Sequence, residues 1–185
     1  MRKVIIFLFV LWIVIGCFGE KGSDYFPLNV NRVYLYNTGV SFFPTPILKE
    51  SFFDSTRACY CLKEYRTFAI GKINTPEFFW PTGEVECYKE IDGAIYVIDK
   101  NNTIGECILP EEVIKKKKWK IYPTANYEKT ITEVDSTHWG YKDVLEVSWL
   151  SSDGYSNERE YFAKDIGYIG ATNLEDLDVF FTLDR

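Results

Sequence analysis

The sequence is poor in histidine and in positive charge. His138 is the only histidine among the 185 residues, so one chain has no set of histidines from which to build a metal site. Basic residues number 21 against 27 acidic ones, for a net charge of −6. Nucleic-acid-binding proteins present a basic surface, so this balance argues against a nucleic-acid partner. It also argues against electrostatic attraction to anionic lipid.

Long apolar runs are missing after the first sixteen residues. The one long run is VIIFLFVLWIVI at residues 4–15, preceded by Arg2 and Lys3. Twelve residues make about 18 Å of helix, whereas a bilayer core is about 30 Å thick. The run is too short to span a bilayer and is typical of a secretory signal peptide. We predict a cleaved signal at residues 1–16, a short tether at residues 17–24 and one β-rich domain at residues 25–185.

The signal ends in VIGC at residues 14–17, which resembles the lipobox of bacterial lipoproteins. The resemblance implies cleavage before Cys17, lipid on its thiol and a covalent membrane anchor, which is stable once two or more acyl chains are attached. An ordinary signal with a stray cysteine is the alternative. Phe18 and Gly19 stand where Asp retains enteric lipoproteins at the inner membrane. We therefore expect the periplasmic face of the outer membrane, or the outer face of the plasma membrane in a single-membraned cell.

Long amphipathic helical patterns are missing as well, and strand-like segments recur instead. In EVECYKEIDGAIYVID at residues 84–99, Asp92-Gly93 separates two runs of high β-propensity, which predicts a two-residue type I′ hairpin turn. Asp153-Gly154 marks a second turn. Further strand-like runs lie at 32–38, 58–65, 118–123, 127–134, 143–150, 158–165, 167–172 and 177–183. The pattern predicts a mainly β fold, a single antiparallel β-sheet domain built as a curved sheet, half-barrel or sandwich.

Four cysteines follow Cys17, namely Cys59, Cys61, Cys87 and Cys107. An even number outside the cytosol predicts two disulfides, with three pairings open. On a strand, Cys59 and Cys61 would point to one face with Cα atoms about 6.6 Å apart, near the limit for a mutual bridge. We expect each to reach a different neighbour, one of them Cys87. Free thiols are one alternative, and zinc is another, although the paired Cys-x₂-Cys spacing is missing.

The stretch DYFPL at residues 24–28, with Asn31 and Tyr36 after it, resembles the start of the mature domain in a group of bacterial envelope lipoproteins. Three later stretches are similar to motifs of the same group: ILPEEVIKKKKWKIY (108–122), STHWGYKDVLEVSW (136–149) and REYFAKDIGYIG (159–170). The resemblance implies a β-sheet lipoprotein and supplies no activity. In the last motif, the positions of Gly167 and Gly170 predict a bend or bulge in a strand.

The sequence contains no convincing catalytic group. His138 lies near Asp135 and Ser136, but catalytic triads are assembled in space from separate segments, so we interpret STHWG as a hairpin turn. Carboxylates such as Glu84 and Glu86, on one face of a strand, are expected to form cross-strand ion pairs. We therefore predict no enzyme, no cofactor and no metal, with a carboxylate-dependent hydrolase as a less favoured alternative.

Two proline-marked apolar stretches, FFPTPIL (42–48) and EFFWP (77–81), are candidates for a contact surface. The residues expected to form it are Phe42, Phe43, Phe78, Phe79 and Trp80. Alternatively, these stretches cover the sheet as a second layer. The predicted function is a membrane-anchored envelope lipoprotein with a non-catalytic binding or structural role and a protein or apolar ligand as partner. The alternative is a carrier of a lipid or lipopeptide, which requires an apolar cavity of several hundred Å³.

Overall fold

The structure, a computed structural model, describes residues 19–37, 46–66, 80–121, 127–151, 158–173 and 179–183. The predicted signal peptide, Cys17 and the second predicted turn at Asp153-Gly154 lie outside these ranges. Within them the fold is almost entirely β, as predicted, and no helix has the length and apolarity to cross a membrane. The elements are α1 (Gly22–Tyr25), β1 (Val33–Asn37), β2 (Pro46–Asp54), β3 (Cys59–Arg66), β4 (Trp80–Ile91), β5 (Ala94–Ile98), β6 (Ile104–Leu109), β7 (Lys118–Lys120), β8 (Tyr127–His138), β9 (Tyr141–Ser151), β10 (Glu158–Ala163), β11 (Gly167–Asn173) and β12 (Val179–Leu183).

The strands form two antiparallel sheets in which chain neighbours are also sheet neighbours. Strands β1–β6 make a six-stranded sheet, and β8–β12 make a five-stranded one whose edge carries the short β7. A ladder of two residue pairs, Tyr36↔Leu183 and Asn37↔Thr182, links β1 to β12. The outermost strands, β6 and β7, share no ladder in the part of the chain that the structure describes, so the sheets are not closed into a barrel.

Local turn chemistry explains the tight hairpins. Asp92 and Gly93, with φ of 53° and 88°, connect β4 to β5 as predicted, because a type I′ turn needs positive φ at both central residues. Trp139 and Gly140, with φ of 47° and 80°, make the equivalent turn between β8 and β9. The interpretation of STHWG as a hairpin turn, with His138 at its edge, is therefore confirmed.

A bulge interrupts the pairing of β10 with β11. Tyr161 pairs with Gly170 and Phe162 pairs with Tyr168, which leaves Ile169 as the extra residue. Gly167 and Gly170 take positive φ on either side of it. This confirms the predicted irregularity in the GYIG segment.

Two strands were not predicted. In β2, the apolar pairs Ile47-Leu48 and Phe52-Phe53 break the alternation by which a half-buried strand is recognised. In β6, Gly105 interrupts a short run. Both strands form because neighbouring strands offer unpaired backbone N–H and C=O groups for hydrogen bonding. This tertiary contribution cannot be predicted from the local sequence pattern.

The largest hydrophobic cluster lies between the two sheets. Phe162 and Leu145 from the five-stranded sheet meet Ile95 and Tyr88 from the six-stranded one. Fully burying an aliphatic or aromatic side chain contributes about 1.5–3 kcal/mol, so this shared layer holds the sheets together. The other members of the cluster are Tyr25, Leu109, Val113, Ile131 and Val147.

Residues 20–24, part of the predicted tether, are folded onto the domain. The Val113 N–H donates to the Glu20 carbonyl at 2.9 Å, and the Ser23 N–H donates to the Gly93 carbonyl at 3.1 Å. On the opposite sheet, the Asp165 N–H donates to the Asp24 carbonyl at 2.8 Å. The segment therefore joins turns of both sheets, whereas the sequence predicted that it belongs to a short tether at residues 17–24.

The Glu20 side chain reinforces this attachment. Its carboxylate accepts hydrogen bonds from the Tyr25 hydroxyl and from Lys164 Nζ. Burial alone would raise the pKa of Glu20, but the two hydrogen bonds and the lysine charge outweigh it and hold the pKa below its ordinary value. The carboxylate is therefore ionised at neutral pH.

Substitution of Gly22 tests the contribution of this segment. A Cβ at Gly22 would lie 2.4 Å from the Pro110 carbonyl oxygen and 2.9 Å from Leu109 Cβ. Gly22→Ala is therefore expected to lower the free energy of unfolding by about 1–3 kcal/mol, measured by urea denaturation. Gly19→Ala is the matched control, because nothing lies within 4 Å of its added methyl group. Equal stability of the two variants would show that residues 20–24 do not pack as described.

Candidate functional site

A cavity of about 430 Å³ lies between the two sheets. Its walls come from the facing sides of β1–β4 and β6, from β10 and β11, and from residues 26–29 that follow α1. The alternation of each strand decides the lining, because every second side chain points inward. The principal lining side chains are Phe26, Leu28, Tyr34, Tyr36, Ile47, Lys49, Tyr60, Leu62, Glu64, Arg66, Glu84, Glu86, Tyr88, Ile108, Glu160, Phe162 and Tyr168.

Aromatic rings form much of this lining. The Phe26 ring centroid lies 4.9 Å from that of Tyr88 and 6.2 Å from that of Phe162, and the Tyr36 and Tyr168 centroids are 6.1 Å apart. Burial raises the pKa of Tyr36, Tyr88 and Tyr168 far above the ordinary tyrosine value. The cavity therefore presents neutral hydroxyls on apolar rings.

Paired charges form the polar part of the lining. Lys49 Nζ lies 3.0 Å from a Glu86 carboxylate oxygen and 3.8 Å from one of Glu64, and Arg66 Nε lies 2.6 Å from Glu64. Burial opposes ionisation of Glu86, but Lys49 and the Tyr88 hydroxyl, which donates at 2.9 Å, hold its pKa below the ordinary value. The predicted use of Glu86 in cross-strand pairing is observed.

The lining carries more negative than positive charge. Its carboxylates are those of Glu64, Glu84, Glu86 and Glu160, and its cations are Lys49 and Arg66. Because the tyrosines are neutral, the formal charge of the lining is −2. Such a surface suits a neutral or cationic group and disfavours an anionic one.

Behind Glu160, a buried lysine joins the two sheets. The Lys129 side chain is 1% exposed, and its Nζ lies 2.9 Å from a Glu160 oxygen and 3.3 Å from a Glu106 oxygen. The 2.9 Å contact is an ion pair without hydrogen-bond alignment. The Nζ also lies 4.2 Å from the centroid of the Trp149 ring, a cation–π distance. Glu106 belongs to β6 and Glu160 to β10, so one cation links opposite walls.

The disulfide prediction is confirmed at one of two bridges. Cys61 on β3 is bonded to Cys87 on β4, and Cys59 and Cys61 share one face as expected. The second expected bridge does not form, since Cys59 and Cys107 are free thiols. Strands β4 and β5 separate them, and three strand spacings of about 4.8 Å place their backbones about 14 Å apart, far beyond the roughly 7 Å limit for bridging.

Cys107 is a partly buried thiol with local partners. Its Sγ donates to the Leu109 carbonyl at 3.4 Å, and its own carbonyl accepts from Trp119 Nε1 at 3.0 Å. Burial raises the pKa of Cys107 to about 11. The side chain is therefore protonated at neutral pH and borders a more open depression of about 780 Å³ along β6 and β7.

Most of the predicted contact surface falls outside the described residues. This applies to Phe42, Phe43, Phe78 and Phe79. The backbone of Trp80 starts β4 and pairs with Arg66. His138 packs against Tyr161, with ring centroids 3.9 Å apart. This places the histidine in an aromatic cluster, and the Ser136 hydroxyl donates to the Val144 carbonyl at 2.9 Å.

The cavity itself was not predicted from the sequence. The signal was the set of alternating tyrosines, such as Tyr34 and Tyr36, together with the alternation Tyr60, Leu62, Glu64 on β3. Alternation indicates that these side chains share a face, but not whether that face is covered. The facing sheet supplies the cover.

Comparison with known proteins provides no relative for this chain. Neither a protein family, nor a curated protein, nor a solved structure matches it. The resemblance to bacterial envelope lipoproteins therefore stays a prediction.

Proposed function

We propose that this protein is a membrane-anchored envelope lipoprotein whose β domain binds a small amphiphilic ligand between its two sheets. The lipid on Cys17 anchors the protein to the membrane of the cell envelope. The cavity supplies the binding site, and no chemical step is assigned to it. A purely structural role, with an empty cavity, is the second candidate.

The attachment of residues 20–24 supports the proposed anchor geometry. Cys17 precedes Glu20 by three residues, which span at most about 10 Å. Glu20 is held by Val113 and Lys164, so a lipid on Cys17 keeps this end of the domain at the membrane surface. The same end carries the turns at residues 92–93, 139–140 and 164–166, since alternate turns of an antiparallel meander lie at one end.

The cavity is the single observation that carries the proposed binding role. Its volume of about 430 Å³ falls within the range of about 300–1,000 Å³ that is usual for small-molecule sites. Aromatic rings with a few convergent polar groups are the usual lining of such sites. Because the lining charge is −2, the ligand has an apolar body and a neutral or cationic polar group, as in a lipid or lipopeptide with an amine.

Binding of an apolar fluorescent probe tests this role. The full chain is expected to bind the neutral probe N-phenyl-1-naphthylamine with increased probe fluorescence. Leu62→Trp, which adds volume to the cavity wall, is expected to reduce the affinity at least tenfold. Ile114→Trp is the control, because Ile114 is 57% exposed and lies outside the lining.

Competition with charged amphiphiles tests the inferred ligand class. Dodecylamine is expected to displace the probe at lower concentration than dodecanoate. Glu84→Lys should reduce the difference between the two displacing concentrations. Glu133→Lys should leave that difference unchanged, because Glu133 is an exposed carboxylate outside the cavity. Absence of saturable probe binding to the unsubstituted chain would favour the structural role.

The lipid anchor is tested separately by intact mass spectrometry of protein from its native membrane. A mass without acyl chains on Cys17 would contradict the anchor.

A further inference from the structure

Three cysteine sulfurs cluster on the face of the six-stranded sheet opposite the cavity. Alternation directs the side chains of Cys59 and Cys61 to the face opposite those of Tyr60 and Leu62, although Cys61 also borders the cavity. The sulfurs of Cys59, Cys61 and Cys87 all lie within 4.8 Å of one another, and all three residues are buried. The Cys59 Sγ lies 3.8 Å from the Cys61 Sγ, which is itself bonded to Cys87. A free thiol therefore lies next to a disulfide.

A guanidinium group lies over the same sulfurs. Arg57 Nη2 lies 2.9 Å from the Cys87 Sγ and 3.6 Å from the Cys61 Sγ. Arg57 is held in place by Asp54, whose Oδ2 accepts from its Nε at 2.8 Å, and by the Asp99 carbonyl at 3.3 Å. Cations beside a sulfur favour the thiolate. The fixed charge is thus placed nearest to Cys87, the member of the bridge farther along the chain.

We propose that Cys59, Cys61 and Cys87 form a thiol–disulfide exchange site, in which Cys59 displaces Cys87 from Cys61 and Arg57 stabilises the released Cys87 thiolate. A local opening exposes the buried Cys59 thiol, which loses its proton to solvent, and its side chain rotates to bring the sulfur in line with the Cys61–Cys87 bond. The Cys59 sulfur then forms a bond to the Cys61 Sγ. The Cys61–Cys87 bond breaks, and its electron pair stays on the Cys87 Sγ, which then takes up a proton from solvent. One disulfide and one thiol are present before and after, so the step needs no oxidant or reductant.

The surroundings of Cys59 limit the rate of this exchange. Burial raises the pKa of Cys59, and Asp54 adds to this, while Arg57 and Lys89 oppose it. Exchange proceeds through the thiolate, so the buried thiol reacts only in the fraction that ionises. The product moves the bridge from between β3 and β4 to within β3. This removes the covalent link behind Leu62 and Tyr88 in the cavity wall, and the exchange itself does not depend on the proposed ligand.

Mapping of free thiols in the oxidised full chain tests the proposal. The native protein is incubated at pH 8.5 without reductant, unfolded in guanidinium chloride at pH 5, labelled with N-ethylmaleimide and digested for mass spectrometry. Label is expected on both Cys59 and Cys87, with bridges Cys61–Cys87 and Cys59–Cys61 in matching proportions. In Cys59→Ser, Cys87 should carry no label. Cys107→Ser is the control and should leave the distribution unchanged.

Two further variants make the outcome decisive. Arg57→Gln is expected to lower the rate at which Cys87 becomes available for labelling during the incubation about tenfold, the effect of losing one charge-assisted hydrogen bond to the leaving thiolate, and Arg57→Lys should retain part of that rate. In Cys87→Ser, incubation with oxidised glutathione should yield a Cys59–Cys61 bridge. Label confined to Cys59 in the native protein, or free Cys59 and Cys61 in Cys87→Ser after that incubation, would refute the exchange. Label on Cys87 in Cys59→Ser would also overturn it, because the bridge would then open without Cys59.

Discussion

Replacing Lys129 with alanine is expected to lower the free energy of unfolding by about 3–5 kcal/mol, the cost of leaving buried charges without their partner. The ammonium group links Glu106 on one sheet to Glu160 on the other. Without it, both carboxylates remain in a poorly solvated layer and Trp149 loses its cation. Stabilities of natural domains are about 5–15 kcal/mol, so this loss is a large share. Urea denaturation of the purified domain measures it.

Two comparisons separate this effect from the simple loss of a lysine. Lys118→Ala removes a cation paired with Glu128 at the surface, where such pairs contribute about 0–1 kcal/mol. The double variant Lys129→Met and Glu160→Gln removes the charge together with a partner, and it should be more stable than Lys129→Ala. A loss below about 1 kcal/mol in Lys129→Ala would mean that the site is hydrated rather than buried as described.

Removing the Cys61–Cys87 bridge is expected to cost about 3.5 kcal/mol. The bridge joins residues 26 positions apart, and the chain-entropy relation gives this value for a closed loop of that length at 25 °C. The double variant Cys61→Ala and Cys87→Ala isolates the effect, because it leaves Cys59 no disulfide to attack. Its unfolding midpoint is compared with that of the oxidised native protein.

Cys107→Ala is the matched control for the loss of a cysteine side chain. It removes a free, partly buried thiol and should cost less than removal of the bridge. Addition of a reductant should lower the stability of the native protein toward that of the double variant while leaving the double variant unchanged. A reductant effect of equal size in both proteins would show that the stabilising bond is a different one.

Local chemistry carried much of the fold prediction. Asp-Gly between two β-rich runs specifies a hairpin turn, because few other dipeptides accept positive φ at both positions. The spacing of Cys59 and Cys61 placed both on one face, since the side-chain period of a strand is two. The positions of Gly167 and Gly170 in the GYIG segment predicted the bulge. These features depend on residues within a few positions of one another.

Other features depended on contacts distant in sequence. Lys129 lies in YEKTITEV, where a lysine is ordinarily solvent-exposed, and only the approach of β6 and β10 buries it. The expected second disulfide is not formed, because the order of the strands, rather than the number of cysteines, determines which thiols lie close enough to bond. The polar segment at residues 20–24 became part of the domain because the turns of both sheets supplied hydrogen-bond partners.

By itself, the sequence determined the antiparallel β class, the sites of several turns and the alternation of side chains along each strand, because these follow from short-range backbone and turn preferences. Only the tertiary structure decided which of the alternating faces is covered, that Lys129 is enclosed and that three sulfurs meet beneath Arg57. The physical reason is that the local backbone conformation does not distinguish the two faces of a strand. One face becomes buried only when a second sheet packs against it.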